Sequence, residues 1–77
     1  GAPIRRWINH ELRDSVDDLL SVESLSNRGI FDPIKVRSII KQTRHNGLDA
    51  GYTILSLMCI EQWCRIFVDA PHISMRL

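Results

Sequence analysis

The side chains best suited to nucleophilic or metal chemistry in this sequence are two cysteines and three histidines. Cys59 and Cys64 lie five residues apart in a segment with helical periodicity, which turns them about 140° from each other and prevents a disulfide between them. Their neighbours in sequence are mostly apolar, so we interpret both as buried, unreactive thiols. The histidines lie on separate segments without a cysteine or carboxylate at metal-ligand spacing: His10, His45 and His72. We therefore predict no metal site and no catalytic thiol.

Adjacent carboxylates and scattered glycines also fail to form a recognisable active site. Asp17 and Asp18 are neighbours on a predicted helix, where successive side chains point about 100° apart, so they cannot face one substrate as an acid–base pair. We interpret them as solvated charges near a helix end. A phosphate-binding loop needs several glycines close together, whereas the four glycines here are far apart: Gly1, Gly29, Gly47 and Gly51. We predict no catalytic and no cofactor-binding residue in this chain.

One stripe of basic residues is a candidate binding surface. Arg37, Lys41 and Arg44 fall at positions i, i+4 and i+7, which places them on one face of a helix, with Lys35 and His45 nearby. Such a stripe could bind phosphates or an acidic partner, but a solvated outer face is the favoured explanation, because such stripes are common on small domains. Because the formal net charge is only +1, any such binding must rest on this local patch.

Apolar spacings of three and four residues predict the helices that position these side chains. One amphipathic helix is predicted over residues 3–20, followed by a short connecting helix that Ser21 caps and Gly29 ends. A third helix is predicted to start at Asp32 and Pro33, which suit the N-cap and first positions, and to stop at residues 45–47. Its inward face should be Val36, Ile39, Ile40 and Thr43.

The last helix, predicted over residues 49–68, has hardly any polar side and should therefore be the centre of the core. We predict Trp63 at that centre, in the apolar phase of the helix. The side chains predicted to face water on this helix are Glu61, Gln62, Arg65 and Asp69. The core residues predicted for the whole chain are Trp7, Val36, Ile40, Leu57, Trp63 and Phe67.

These elements predict an all-α fold, a small bundle of three main helices plus one short connecting helix. Seventy-seven residues, 44% of them apolar and 25% charged, suffice for one globular domain and one core. We assign the domain to residues 1–69 and a tail without periodicity, which need not be ordered, to residues 70–77. No apolar run reaches membrane-spanning length, and cysteine usage is typical of a reduced, cytoplasmic protein.

The order of several landmarks resembles the C-terminal end of the synthetase domain in glutamine-hydrolysing asparagine synthetases. In that family a Pro and a Trp open a helix, and a Leu-Arg pair, an Arg-Gly-Leu-Phe-Asp-Pro connection and a final helix with Glu-Leu-Trp follow in this order. The likeness covers residues 1–69. The matching landmarks are Pro3 to Trp7, Leu12-Arg13, Leu19-Leu20, Arg28-Gly29-Ile30-Phe31-Asp32-Pro33, Glu61-Gln62-Trp63, Phe67 and Asp69.

The resemblance implies a structural, non-catalytic part of an ATP-dependent ligase. The parent enzyme would release ammonia in an N-terminal glutaminase domain and, with ATP and magnesium, activate aspartate as an acyl-adenylate to form asparagine. Neither active site would lie in these residues, and the partner of this chain would be the rest of the synthetase domain. Amidotransferases that modify sugars, beta-lactam synthetases and lasso-peptide cyclases have similar synthetase domains, so the substrate of the parent stays open.

Two other functions remain open at this point. The chain could be an independent helical binding module that uses Arg37, Lys41 and Arg44 on nucleic acid or an acidic partner, although its small net charge argues against nucleic acid. It could also be a small separate protein that a ligase binds in trans. If it is part of a larger domain, the chain should expose apolar surface that the parent covers, and it should self-associate when isolated.

Overall fold

A computed structural model describes residues 3–45 and 47–69 of the chain. Within these ranges the protein contains five helices and no strand, so the predicted all-α fold is confirmed. The helices are α1 (Ile4–Asn9), α2 (Arg13–Leu19), α3 (Val22–Arg28), α4 (Pro33–Arg44) and α5 (Gly51–Phe67). None of the helices described is both long enough and apolar enough to span a bilayer. The predicted tail, residues 70–77, lies outside the described residues.

The prediction of a single helix over residues 3–20 is wrong, because this segment forms two separate helices, α1 and α2. The chain leaves helical geometry at His10, with φ −124° and ψ −78°, and the N–H of Leu12 donates to the Trp7 carbonyl at 2.7 Å, five residues back. This wider turn keeps the apolar residues on one side, so Ile8 and Val16 are both completely buried. Because the apolar spacing continues across the break, periodicity alone does not detect it.

The predicted ends of α3 and α4 are confirmed in detail. The Ser21 hydroxyl accepts a hydrogen bond from the Ser24 N–H at 3.0 Å, and Gly29 ends α3 with φ +72°, a conformation that costs glycine little. The Asp32 carboxylate accepts from the N–H groups of Ile34 and Lys35 at 2.9 and 3.3 Å. These caps satisfy backbone donors that helix starts otherwise leave unpaired.

The predicted core is half right. Val36, Ile40 and Leu57 are buried as expected, but Trp7, Trp63 and Phe67 are 48%, 57% and 58% exposed, and their assignment to the core is wrong. Since α5 is apolar almost all round, its periodicity cannot tell which side faces the other helices. The side that does so carries Ile54, Leu57, Met58, Glu61 and Cys64. The most deeply buried side chains of the described residues are Ile8, Val16, Leu20, Ile40, Thr43 and Ile54.

Helices α1, α4 and α5 meet at close range. A Cβ atom on Gly51 would lie 3.1 Å from Cγ2 of Ile4 and 3.2 Å from the backbone nitrogen of Arg5, so a larger residue would push α1 away from α5. Arg5 and Asn9 both donate side-chain hydrogen bonds to the Thr43 carbonyl, each at 3.2 Å. These contacts hold the start of the chain against the end of α4 and the start of α5.

Candidate functional site

The most extensive group of polar contacts joins α3 to the C-terminal end of α5. Arg28 donates from Nε and Nη2 to the two carboxylate oxygens of Glu61, both at 2.9 Å. The same guanidinium donates from Nη1 and Nη2 to Asp69 at 2.9 and 2.8 Å. All its donor atoms are therefore engaged, in the bidentate geometry that makes arginine–carboxylate pairs strong and directional.

Arg65 extends this network toward α2. It donates from Nε to Glu61 at 2.9 Å, from Nη1 to Asp18 at 3.1 Å and from Nη2 to the Ser24 hydroxyl at 3.2 Å. A groove of about 450 Å³ runs along these residues, with Ser21, Glu23 and Asn27 completing its lining. We call this the polar groove. Its acidic side chains outnumber its basic ones, and both of its arginines already have carboxylate partners.

Glu61 is the residue of this network that the sequence interpretation missed. It was predicted to face water, but it is only 7% exposed, so that prediction is wrong. Glu61 lies at spacings of seven, four and three from Ile54, Leu57 and Met58, in the phase of α5 that the structure buries, but the sequence alone does not show that this phase is the buried one. A carboxylate in that phase requires cationic partners, and Arg28 and Arg65 supply them.

The contacts of Glu61 make the stability of the fold sensitive to acid. Its hydrogen bond with Arg28 lowers the pKa of the Glu61 carboxyl below the ordinary value of 4.5, burial opposes this, and Arg65 reinforces it. A group with a lowered pKa stabilises the folded state fully above its ordinary pKa, and this contribution is lost as the pH falls through the folded-state pKa. The hydrogen bond from Arg28 likewise lowers the pKa of Asp69.

We therefore expect the free energy of unfolding to be insensitive to these groups near neutral pH. It should decrease as the pH is lowered past about 4.5. Urea denaturation at a series of pH values between about 7 and 3 measures this. Glu61→Gln should make the acid-dependent decrease shallower, because one of the carboxylates that titrate is then absent. An unchanged slope in Glu61→Gln would show that other carboxylates cause the acid sensitivity.

In the basic stripe predicted from the sequence, Arg37, Lys41 and Arg44, two of the three cations already pair with a carboxylate. Arg37 and Arg44 both donate to Oδ1 of Asp17, at 3.2 and 2.8 Å, and Arg37 also donates to the Leu20 carbonyl. Burial raises the pKa of the Asp17 carboxyl, but the hydrogen bonds from Arg44 and Arg37 outweigh it and leave the pKa below its ordinary value. Asp17 therefore bridges α2 and α4. Lys41 is exposed and has no ion pair among the described residues.

Asp17 and Asp18 bind different arginines, which agrees with the prediction that they do not form an acid–base pair. They are not simply solvated, however. Asp17 holds Arg37 and Arg44, whereas Asp18 accepts from Arg65 across the bundle.

The thiols and imidazoles are not brought together. Cys64 is buried as predicted, but Cys59 is exposed, so its predicted burial is wrong, and both are free cysteines. His10, which follows α1, and His45, which follows α4, are both exposed, and His72 lies outside the described residues. Among residues 3–45 and 47–69 no three side chains of the metal-binding types cluster.

The outward side of α5 carries no charge and is largely apolar, with the exposed Ser56 and Cys59 between Tyr52 and Ile60. Large side chains at 41–66% exposure follow one another along it, and the rings of Trp63 and Phe67 pack with centroids 5.4 Å apart. The two charged residues within α5, Glu61 and Arg65, lie on the other side, in the polar groove. We call this surface the outer α5 face; its residues are Tyr52, Ile60, Trp63, Ile66 and Phe67.

Comparison with known proteins returned no matching family model, no matching curated protein and no matching solved structure.

Proposed function

We propose that this chain is the non-catalytic C-terminal helical subdomain of an ATP-dependent, glutamine-hydrolysing ligase similar to asparagine synthetase. Its function is to pack on the synthetase domain and complete the fold of that domain. The parent enzyme would use ATP and magnesium to convert aspartate to asparagine through an acyl-adenylate, with residues outside this chain. The partner of the chain is then the rest of the synthetase domain, in the cytoplasm.

The observation that carries this proposal is the outer α5 face. A monomeric soluble domain rarely leaves several large apolar side chains exposed next to one another, and such a patch is typical of a surface that another protein surface covers. Trp63 and Phe67, which together form an aromatic pair, are the type of side chain that anchors such contacts. A subdomain that packs on a larger domain needs a surface of this kind.

The landmarks that resemble the synthetase family support the proposal because they act together as scaffold. Arg28 is 33 and 41 positions from Glu61 and Asp69 and forms one ion network with them. Gly29 ends α3, and Asp32 with Pro33 starts α4. A family that keeps such a scaffold would keep this set of residues in this order.

The most direct test is the reading frame that encodes the chain. We expect the same frame to encode, upstream, a nucleotide-binding loop of the Ser-Gly-Gly type and the remainder of a synthetase domain. The purified full-length protein should catalyse aspartate-dependent exchange of pyrophosphate into ATP, and the 77-residue chain alone should not. A frame without a nucleotide-binding segment, or exchange catalysed by these residues alone, would rule the proposal out.

Trp63→Glu should have different effects in the isolated chain and in the full-length enzyme. In the isolated chain Trp63 is more than half exposed, so the substitution should leave the thermal midpoint nearly unchanged and reduce self-association. In the full-length ligase it would bury an unpaired carboxylate in the domain contact, which costs several kcal/mol. We expect its soluble yield and specific activity to fall by about tenfold or more.

Gln62→Glu is the matched control for this experiment, because Gln62 is exposed on the same helix but lies outside the outer α5 face. It adds the same charge and should affect neither protein. Equal behaviour of the two variants in the full-length ligase would contradict a domain contact through the outer α5 face.

A further inference from the structure

A second groove lies between α2 and α4, and the charge of its lining side chains is positive. It has a volume of about 280 Å³ and is lined by Arg13 of α2, by four residues of α4 and by the residue that follows α4. We call it the basic groove; its lining residues are Arg13, Arg37, Ile40, Lys41, Arg44 and His45. The stripe seen in the sequence thus gains a fourth cation, Arg13, from another helix.

The basic groove has more positive charge than its own carboxylate can balance. Asp17 is the acidic residue that contacts its lining, and it pairs with Arg37 and Arg44 together. Lys41 has no carboxylate partner among the described residues, and within the same residues the side chain of Arg13 donates only to the Asn9 carbonyl, at 3.4 Å. Since the whole chain has a formal net charge of only +1, this concentration of cations is local.

Arg44 has hydrogen-bonding capacity that the fold leaves unused. It donates to Asp17 from Nη2 at 2.8 Å, while its Nε is buried and has no acceptor within the described part of the chain. Buried donors in proteins are nearly always paired. An acceptor that binds beside Arg44, and lets the guanidinium turn toward it, would satisfy this donor.

We propose that the basic groove binds a phosphate group of a small molecule, as a phosphomonoester or a pyrophosphate. Arg13 and Arg44 keep guanidinium N–H groups that bind no carboxylate and match phosphate oxygens, and Lys41 adds a mobile ammonium. The excess of cations over carboxylate favours an anion with two or more charges over a single carboxylate. A groove of this volume accommodates one or two phosphate groups, whereas a nucleic acid backbone needs an extended basic surface. This inference does not depend on the proposed function.

Titration of the 77-residue protein with inorganic pyrophosphate tests the proposal. Binding is measured by calorimetry and by amide chemical shifts in NMR spectra, at about 0.15 M salt, where charges farther than about 8 Å are screened. We expect saturable binding, with the largest shifts at the amides of α2 and α4 that border the groove. Lys41→Glu and Arg13→Glu should each weaken it by about tenfold. Both residues are exposed, and circular dichroism verifies that the variants fold.

Lys35→Glu is the matched control. Lys35 is exposed on the same helix but does not line the groove, and it lies six residues, or about 9 Å along the axis, from Lys41. It should change the affinity by less than about twofold. The milder Lys41→Gln should fall between the wild type and Lys41→Glu, which keeps the test valid if charge reversal disturbs the fold.

The proposal is overturned if pyrophosphate shows no saturable binding, or if Lys35→Glu weakens binding as much as Lys41→Glu does. A parallel titration with a short single-stranded DNA decides the source of the phosphate. Tighter binding of the DNA than of pyrophosphate, with sensitivity to Lys35→Glu, would instead indicate an extended nucleic acid surface and overturn the small-molecule site.

Discussion

Replacing Glu61 with glutamine is expected to lower the free energy of unfolding by about 2–3 kcal/mol. The carboxylate is almost completely buried and accepts three hydrogen bonds, two from Arg28 and one from Arg65. A glutamine of the same shape has no charge and directs an amide N–H₂ at guanidinium donors, so the two arginines lose their shared counter-ion. The expected decrease in the free energy of unfolding is a large fraction of the whole, because a domain of this size has a total stability of about 5–10 kcal/mol.

Urea denaturation followed by circular dichroism measures this effect as a shift in midpoint. Asp69→Asn is the control, because Asp69 contacts the same arginine but its side chain is 48% exposed. Water can replace the lost hydrogen bonds at Asp69, so we expect a clearly smaller decrease than at Glu61. Equal decreases in the two variants would show that the burial of Glu61 has no energetic consequence.

Ile54→Ala is expected to destabilise the fold by about 3–4 kcal/mol, whereas Trp63→Ala should cost less than about 1 kcal/mol. Ile54 is completely buried at the centre of the bundle, so removing three carbon atoms leaves a cavity that α1, α2 and α4 cannot readily fill. Trp63 is larger, but most of what it touches is solvent and the ring of Phe67.

Thermal and urea unfolding of the two variants check this order. This order is a specific test of the structure, because the hydrophobicity and size of the side chains alone would predict a larger loss of stability for Trp63→Ala than for Ile54→Ala. If Trp63→Ala proved the more destabilising of the two, α5 would have to face the bundle with the side that holds Trp63.

The sequence predicts local structure well wherever a residue has a specific backbone role. Ser21, Gly29, Asp32 and Pro33 identify the ends of α3 and α4, because each satisfies a geometric need that few residue types meet. The all-α fold class follows from the same signals together with apolar spacing. The break between α1 and α2 is different, since no glycine or proline marks it and the turn at His10 preserves the apolar phase.

The orientation of α5 shows the limit of sequence interpretation for this protein. A helix that is apolar on nearly every side has two candidate inward faces, and only packing against the other helices selects one. The charged residues of α5 do not indicate the choice, because Glu61 and Arg65 would ordinarily mark the side that faces water, whereas here Glu61 is buried and pairs with Arg28 and Arg65. The polar groove depends on the pairing of Arg28 with Glu61 and Asp69, which are 33 and 41 positions away, and these contacts do not follow from local spacing.

The close approach at Gly51 has a consequence for the order in which the protein can fold. Because α1 packs against α5, the first of the described helices meets the last of them, and Ile4 and Gly51, which approach each other there, are 47 positions apart in the sequence. The contact between α1 and α5 can therefore form only after the segment of α5 has been synthesised. Until then the apolar side of α1, which includes Ile8, lacks one of the helices it packs against, and apolar surface exposed in this way favours aggregation.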